Sequence, residues 1–221
     1  MRDFTNIMLI IGRKEEAANE EAANKVRMLG TGFFVSNDGK IVTARHVVGD
    51  SQKDLCVILP NIPNIDTYQD VADLKGECIS VTIEDVNPIT DLCILKIVGT
   101  CSSPFPALGS LDSVIVGQRV GIYGYPHCVH GRRVLTYQET EIGAKMLLET
   151  SSIKSKYATI NVQTRPGQSG SIIFDIHSGI ILGLLIGSYA PPSGISLAGI
   201  NPYELNQTSY CISANHIKEM L

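Results

Sequence analysis

The longest apolar run in this 221-residue chain, residues 180–186, is seven residues long and contains Gly183. Hydrophobic residues that come in such short runs, separated by turns drawing on 20 glycines and 10 prolines, favour many short strands over long helices. The same limit leaves nothing near the roughly 20 apolar residues of a membrane-spanning helix, so no membrane partner is expected. Hydrophobic residues still make up 44% of the chain, enough for a sizeable core. A net charge of −4, with no cluster of Lys and Arg able to neutralise several phosphates, argues against nucleic acid as a partner.

Taken in order, residues 4–11 read as an opening strand. Residues 15–25 hold a near-duplicated Glu-Glu-Ala-Ala-Asn unit without large apolar side chains, which reads as a solvated insertion. Residues 29–43 form a hairpin pattern around Asn37-Asp38-Gly39. Strands are expected at 81–83 and 92–97, and 102–112 reads as a connection between halves. Further strands are expected at 118–126, 133–136, 159–164, 180–186 and 210–213, with a short helix over 215–221. The expected class is all-β: two packed six-stranded antiparallel β-barrels, 1–110 and 111–221, forming one domain with a short C-terminal helix.

One stretch carries chemistry. In Arg165-Pro166-Gly167-Gln168-Ser169-Gly170-Ser171, a serine is flanked by glycines and followed at once by an apolar strand pattern. A serine hydroxyl is a weak nucleophile that needs a base within reach and donors for the oxyanion it creates. Glycine backbones permit the unusual angles and close approach that such donors require. His46 stands where a strand ends, and Asp91 opens the apolar segment 92–97. Alone, each has an ordinary reading: a tight turn, a core histidine, a turn former. Together they follow the order His, Asp, Ser, with gaps of 45 and 78 residues.

Gly30-Thr31-Gly32-Phe33-Phe34-Val35, Thr43-Ala44-Arg45-His46-Val47-Val48, Asp91-Leu92-Cys93-Ile94-Leu95-Lys96, Gly124-Tyr125-Pro126 and Pro166-Gly167-Gln168-Ser169-Gly170 resemble the HtrA/Deg branch of the trypsin-like serine proteases. The resemblance implies a chymotrypsin-like double barrel acting on protein or peptide substrates without cofactor or metal. It casts Ser169 as nucleophile, His46 as general base and then acid, and Asp91 as the orienter of the imidazole. The backbone N–H groups of Gly167 and Ser169 would form the oxyanion hole. A catalytically silent protease-fold binding module is the alternative.

Gln163 stands six residues before the nucleophile, where such enzymes set specificity, and it is no carboxylate. Leu185, Ile186 and Gly187 are expected to line the pocket and pair with an extended substrate, giving cleavage after small or medium aliphatic residues. Ser171 resembles the glutamyl endopeptidases, but Leu185 stands where their specificity histidine falls. There is no Ile-Val-Gly-Gly activation site, and no PDZ domain is expected after Leu221. Control is therefore expected from loop ordering at 127–134 or 140–156, or from a regulatory protein partner gripping 15–25. His127, Cys128 and His130 lie close together but lack a second ligand pair for zinc. Residues 1–11 hold no signal-peptide core and the six cysteines show no paired spacing, so a cytoplasmic location with free thiols is expected.

Overall fold

The computed structural model describes residues 3–15, 25–73, 76–101, 103–189 and 208–221. The first barrel comprises β1 (Met8–Lys14), β2 (Val26–Phe34), β3 (Lys40–Ala44), β4 (Leu55–Ile58), β5 (Cys78–Asn87) and β6 (Leu92–Ile97). The second comprises β7 (Arg119–Gly124), β8 (Thr136–Thr150), β9 (Ile153–Ile160), β10 (Ile172–Asp175), β11 (Ile181–Tyr189) and β12 (Thr208–Ser213). Both close, in the orders β1-β2-β3-β6-β5-β4 and β10-β11-β12-β9-β8-β7, with antiparallel pairing throughout. Closure leaves no long unpaired sheet edge around either core.

Among the described residues, two one-turn α-helices accompany the barrels. Helix α1 (Arg45–Val48) continues directly from β3, and α2 (Asn215–Lys218) follows β12. Among the described residues no helix is long and apolar enough to cross a membrane.

Local chemistry explains the turns. Asn37-Asp38-Gly39 joins β2 to β3 with Gly39 at φ +85°, a left-handed conformation that favours glycine. The opening segment ties the barrels together, because Phe4 is buried edge-on against Tyr123 of β7 and Phe174 of β10, with ring centroids 5.6 and 4.7 Å away. Such edge-to-face pairs add about 0.5–1.5 kcal/mol beyond the area they bury.

Several expectations shift. The opening strand starts at Met8, after a single 3-10 turn over Thr5–Ile7. Residues 133–135 lie outside any strand, and 140–156, expected as a mobile loop, belong to β8 and β9. These strands form a ribbon that runs past the barrel to a turn at Ser151 and Ser152, both at positive φ. Of the repeat at 15–25, residues 16–24 lie outside the described residues.

Candidate active site

His46 owes its position to the junction of β3 and α1. After it, Gly49 turns the chain at φ +69°, and the Arg13 guanidinium donates to the carbonyls of Val48 (2.6 Å) and Lys53 (2.5 Å). These contacts anchor the segment behind the imidazole to β1. Asp91 sits at φ +56°, at the end of a turn built by the Asn87 side chain, whose oxygen accepts from the backbone N–H of Ile89 and Thr90. Aspartate tolerates this left-handed conformation better than most residues.

Both oxygens of the Asp91 carboxylate meet His46. One accepts from the His46 backbone N–H at 3.0 Å, and the other lies 2.5 Å from Nδ1. In this arrangement Nδ1 carries the proton and Nε2 is left to face the cleft. The charge of Asp91 is felt nearby: burial first, then this carboxylate, pushes the Tyr210 phenol up and keeps it neutral.

Ser169 lies across the cleft between barrels. His46, Asp91, Ser169, Ile186 and Gly187 line one depression of about 380 Å³, together with Thr164, Arg165, Pro166 and Tyr210. The Ser169 hydroxyl donates to the Ile186 carbonyl at 3.0 Å, and among the described residues it makes no hydrogen bond to His46.

The loop before Ser169 is held on every side. Pro166 C=O accepts from the His127 N–H at 2.7 Å, and Gln168 C=O from the Ser171 N–H at 2.9 Å. In a trans peptide the N–H points opposite to the carbonyl, so the N–H groups of Gly167 and Ser169 are turned the other way. Among the described residues neither donates to any acceptor. The Gln168 side chain is buried, accepting from the Arg165 N–H at 2.7 Å and donating to Gln138 at 2.7 Å. Gly167 takes φ +94°, and a Cβ there would press on Cys128 and the Tyr125 carbonyl.

Residues 30–184 match the trypsin-like peptidase domain family. The chain belongs to this family. Within it, the chain is similar to DegP-like serine endoproteases. A DegP-like periplasmic serine endoprotease of Brucella suis is 28% identical over 173 residues, covering 75% of this chain and 28% of that protein. Its counterpart from Rickettsia prowazekii is 27% identical over 153 residues, covering 69% and 27%. The chain thus spans under a third of the length of these curated relatives. The MamO protease domain of Magnetospirillum magneticum shares the fold at TM-score 0.67 and 15% identity, over 99% of this chain and 97% of that one. The active form of the Rv3671c protease of M. tuberculosis does so at 0.67 and 18%, over 98% and 79%.

These relatives correct one expectation. They are named as periplasmic proteins, which overturns the cytoplasmic location read from the sequence. That reading rested on residues 1–11, and the start of a given sequence does not define a leader.

Within this trypsin-like domain two pocket expectations also move. Leu185 is fully buried in the second barrel's core, because alternation along β11 points it inward, and only its neighbours Ile186 and Gly187 face the cleft. Gln163 does not line the depression either; Thr164 does, fixed by its N–H to the Ser209 hydroxyl at 3.0 Å. Arg165, Pro166 and Tyr210 were not singled out as pocket residues, since nothing in their sequence context distinguishes a pocket wall from a turn or a strand.

Proposed function

We propose that this chain is a serine endopeptidase that hydrolyses peptide bonds through an acyl-enzyme on Ser169. The observation that carries this reading is the two-point contact between Asp91 and His46, in one depression with Ser169, while the N–H groups of Gly167 and Ser169 have no acceptor among the described residues. In the reaction, Ser169 Oγ turns from Ile186 to His46 Nε2, which takes its proton as Oγ attacks the substrate carbonyl. The resulting oxyanion is met by the N–H groups of Gly167 and Ser169. His46 then protonates the leaving amine, and water repeats the sequence on the acyl ester. Asp91 keeps the imidazole in the required tautomer and stabilises its cation without taking the proton.

Substrate binds as an added strand along β11 at Ile186 and Gly187, where pairing with β12 is interrupted by a bulge between Leu185 and Gly187. The pocket walls from Thr164, Ile186 and Tyr210 contain no carboxylate to receive Lys or Arg, and favour small or medium aliphatic residues. Activity is regulated through the 127–130 turn, because His127 holds the peptide plane that aims Gly167. A regulatory protein partner acting on that turn is the simplest means. The resting hydrogen bond of Ser169 lends some support to the alternative, a silent binding module.

Digestion of an unfolded protein, with the new termini read by mass spectrometry, tests the proposal. Cuts clustered after Val, Ala, Ile or Leu are expected. Cuts after Arg, Lys or Glu overturn the specificity, and an intact substrate overturns the hydrolytic reading.

A further inference from the structure

Thr31 lies on β2 of the first barrel and is fully buried, yet two of its polar atoms make three hydrogen bonds to the nucleophile loop or its support. Its hydroxyl donates to Gly167 C=O at 2.8 Å and accepts from the Tyr125 N–H at 3.1 Å. An amide N–H can only donate and a carbonyl can only accept, so the direction of both bonds is fixed. Its backbone N–H donates to Ser169 C=O at 2.9 Å. Its own carbonyl accepts from the Thr43 hydroxyl at 2.7 Å.

The position of these contacts matters more than their number. Gly167 can adopt more conformations than any other residue type, and its working one, at φ +94°, must be imposed from outside. His127 grips the peptide on the N-terminal side of Gly167, and Thr31 grips the peptide on its C-terminal side. Together they fix both backbone angles of the glycine. Thr43 stands three residues before His46 on the continuous β3–α1 segment. A chain of hydrogen bonds from Thr43 through Thr31 to Gly167 therefore sets the donors of one barrel against the imidazole of the other.

We propose that Thr31 is the positioning residue of the oxyanion loop, acting through Gly167 without touching substrate. The proposal rests on the hydrolytic reading above. Loss of the hydroxyl should harm binding of the tetrahedral oxyanion and leave ground-state binding nearly intact.

The test compares wild type, Thr31→Val and Thr31→Ser with a fluorogenic aliphatic peptide and the matching peptide boronate, whose adduct is tetrahedral. Valine keeps the shape and removes the hydroxyl. With Thr31→Val, kcat should fall by at least about tenfold, approaching the roughly 10²–10³ seen when an oxyanion donor is removed outright. KM should stay within about twofold and boronate affinity should fall in step with kcat. Thr31→Ser should restore kcat to within about threefold. Should valine reduce the folded fraction seen by circular dichroism, Thr31→Cys replaces it: its thiol is a weak donor of similar size, and its kcat should lie between the other two. Wild-type kcat in either the Val or the Cys variant, a loss confined to KM, or no rescue by serine overturns the assignment. A wild type that neither cleaves the peptide nor binds the boronate removes the hydrolytic reading itself, and Thr31's role with it.

Discussion

The Ser169 hydroxyl donates to the backbone carbonyl of Ile186, 3.0 Å away, with His46 left to Asp91. Ile186 C=O is the acceptor that a substrate strand added to β11 would use for its own N–H. Binding should therefore displace the hydroxyl and free it to turn towards His46. An N-methyl group on the amide of the residue preceding the cleaved bond removes that N–H. It should lower kcat/KM by at least about tenfold, the effect of a hydrogen bond worth about 1.4 kcal/mol. Equal hydrolysis of the methylated and unmethylated peptides would count against this coupling.

Asp91→Asn separates geometry from tautomer. Asparagine tolerates the same φ of +56°, and its carbonyl oxygen can still accept from the His46 backbone N–H. Its amide then faces Nδ1 as a donor and forces the wrong tautomer. Turnover should fall by about 10⁴-fold with the melting temperature nearly unchanged. A loss below tenfold would show that Asp91 is not the orienter.

Gly170→Ala should damage stability before chemistry. Gly170 lies at φ +91°, and a Cβ there would collide with the Thr31 carbonyl. A left-handed alanine costs roughly 1–2 kcal/mol and overpacking a further 1–3 kcal/mol, so a loss of about 2–5 kcal/mol is expected from urea unfolding. A change within about 0.5 kcal/mol would mean that the loop does not rest on β2 as described.

The cluster around Ser169 was legible because each member sits in a short motif with its own turn chemistry. Asn37-Asp38-Gly39 announced the β2–β3 hairpin, and Asp91 and His46 marked the ends of apolar strands. The β8–β9 ribbon was not legible, since beyond the barrel both its faces meet solvent and Leu147, Leu148 and Ile153 stand exposed among charged residues. Without a buried face there is no alternation to read. The sequence groups Leu185 with Ile186 and Gly187 as a pocket residue, but one step along β11 exchanges a cleft-facing side chain for a core one. Thr31 gave no signal at all, because a buried threonine in a strand looks the same whether it fills space or holds a loop.

Alkaline pH should destabilise the fold. Burial pushes the thiols of Cys93, Cys128 and Cys211, and of Cys56 with help from neighbouring Cys78, from the ordinary 9.0 up to about 12. The unfolded chain gives up these protons near pH 9 while the folded one retains them, so their stabilising share is whole below pH 9 and is lost as pH rises towards 12. The urea midpoint should fall between pH 8 and pH 10.5, and the buried thiols should resist alkylation at pH 8 until the protein unfolds. A flat midpoint together with rapid alkylation of the native protein would contradict this burial.

The central claim is that Ser169 is an activated nucleophile. Labelling with a serine-directed fluorophosphonate, read by intact mass with Ser169→Ala as control, tests it most directly. One adduct on the wild-type protein, mapped to Ser169 and absent from the variant, is the predicted result. No adduct on folded wild type, or an adduct that persists in Ser169→Ala, would contradict it.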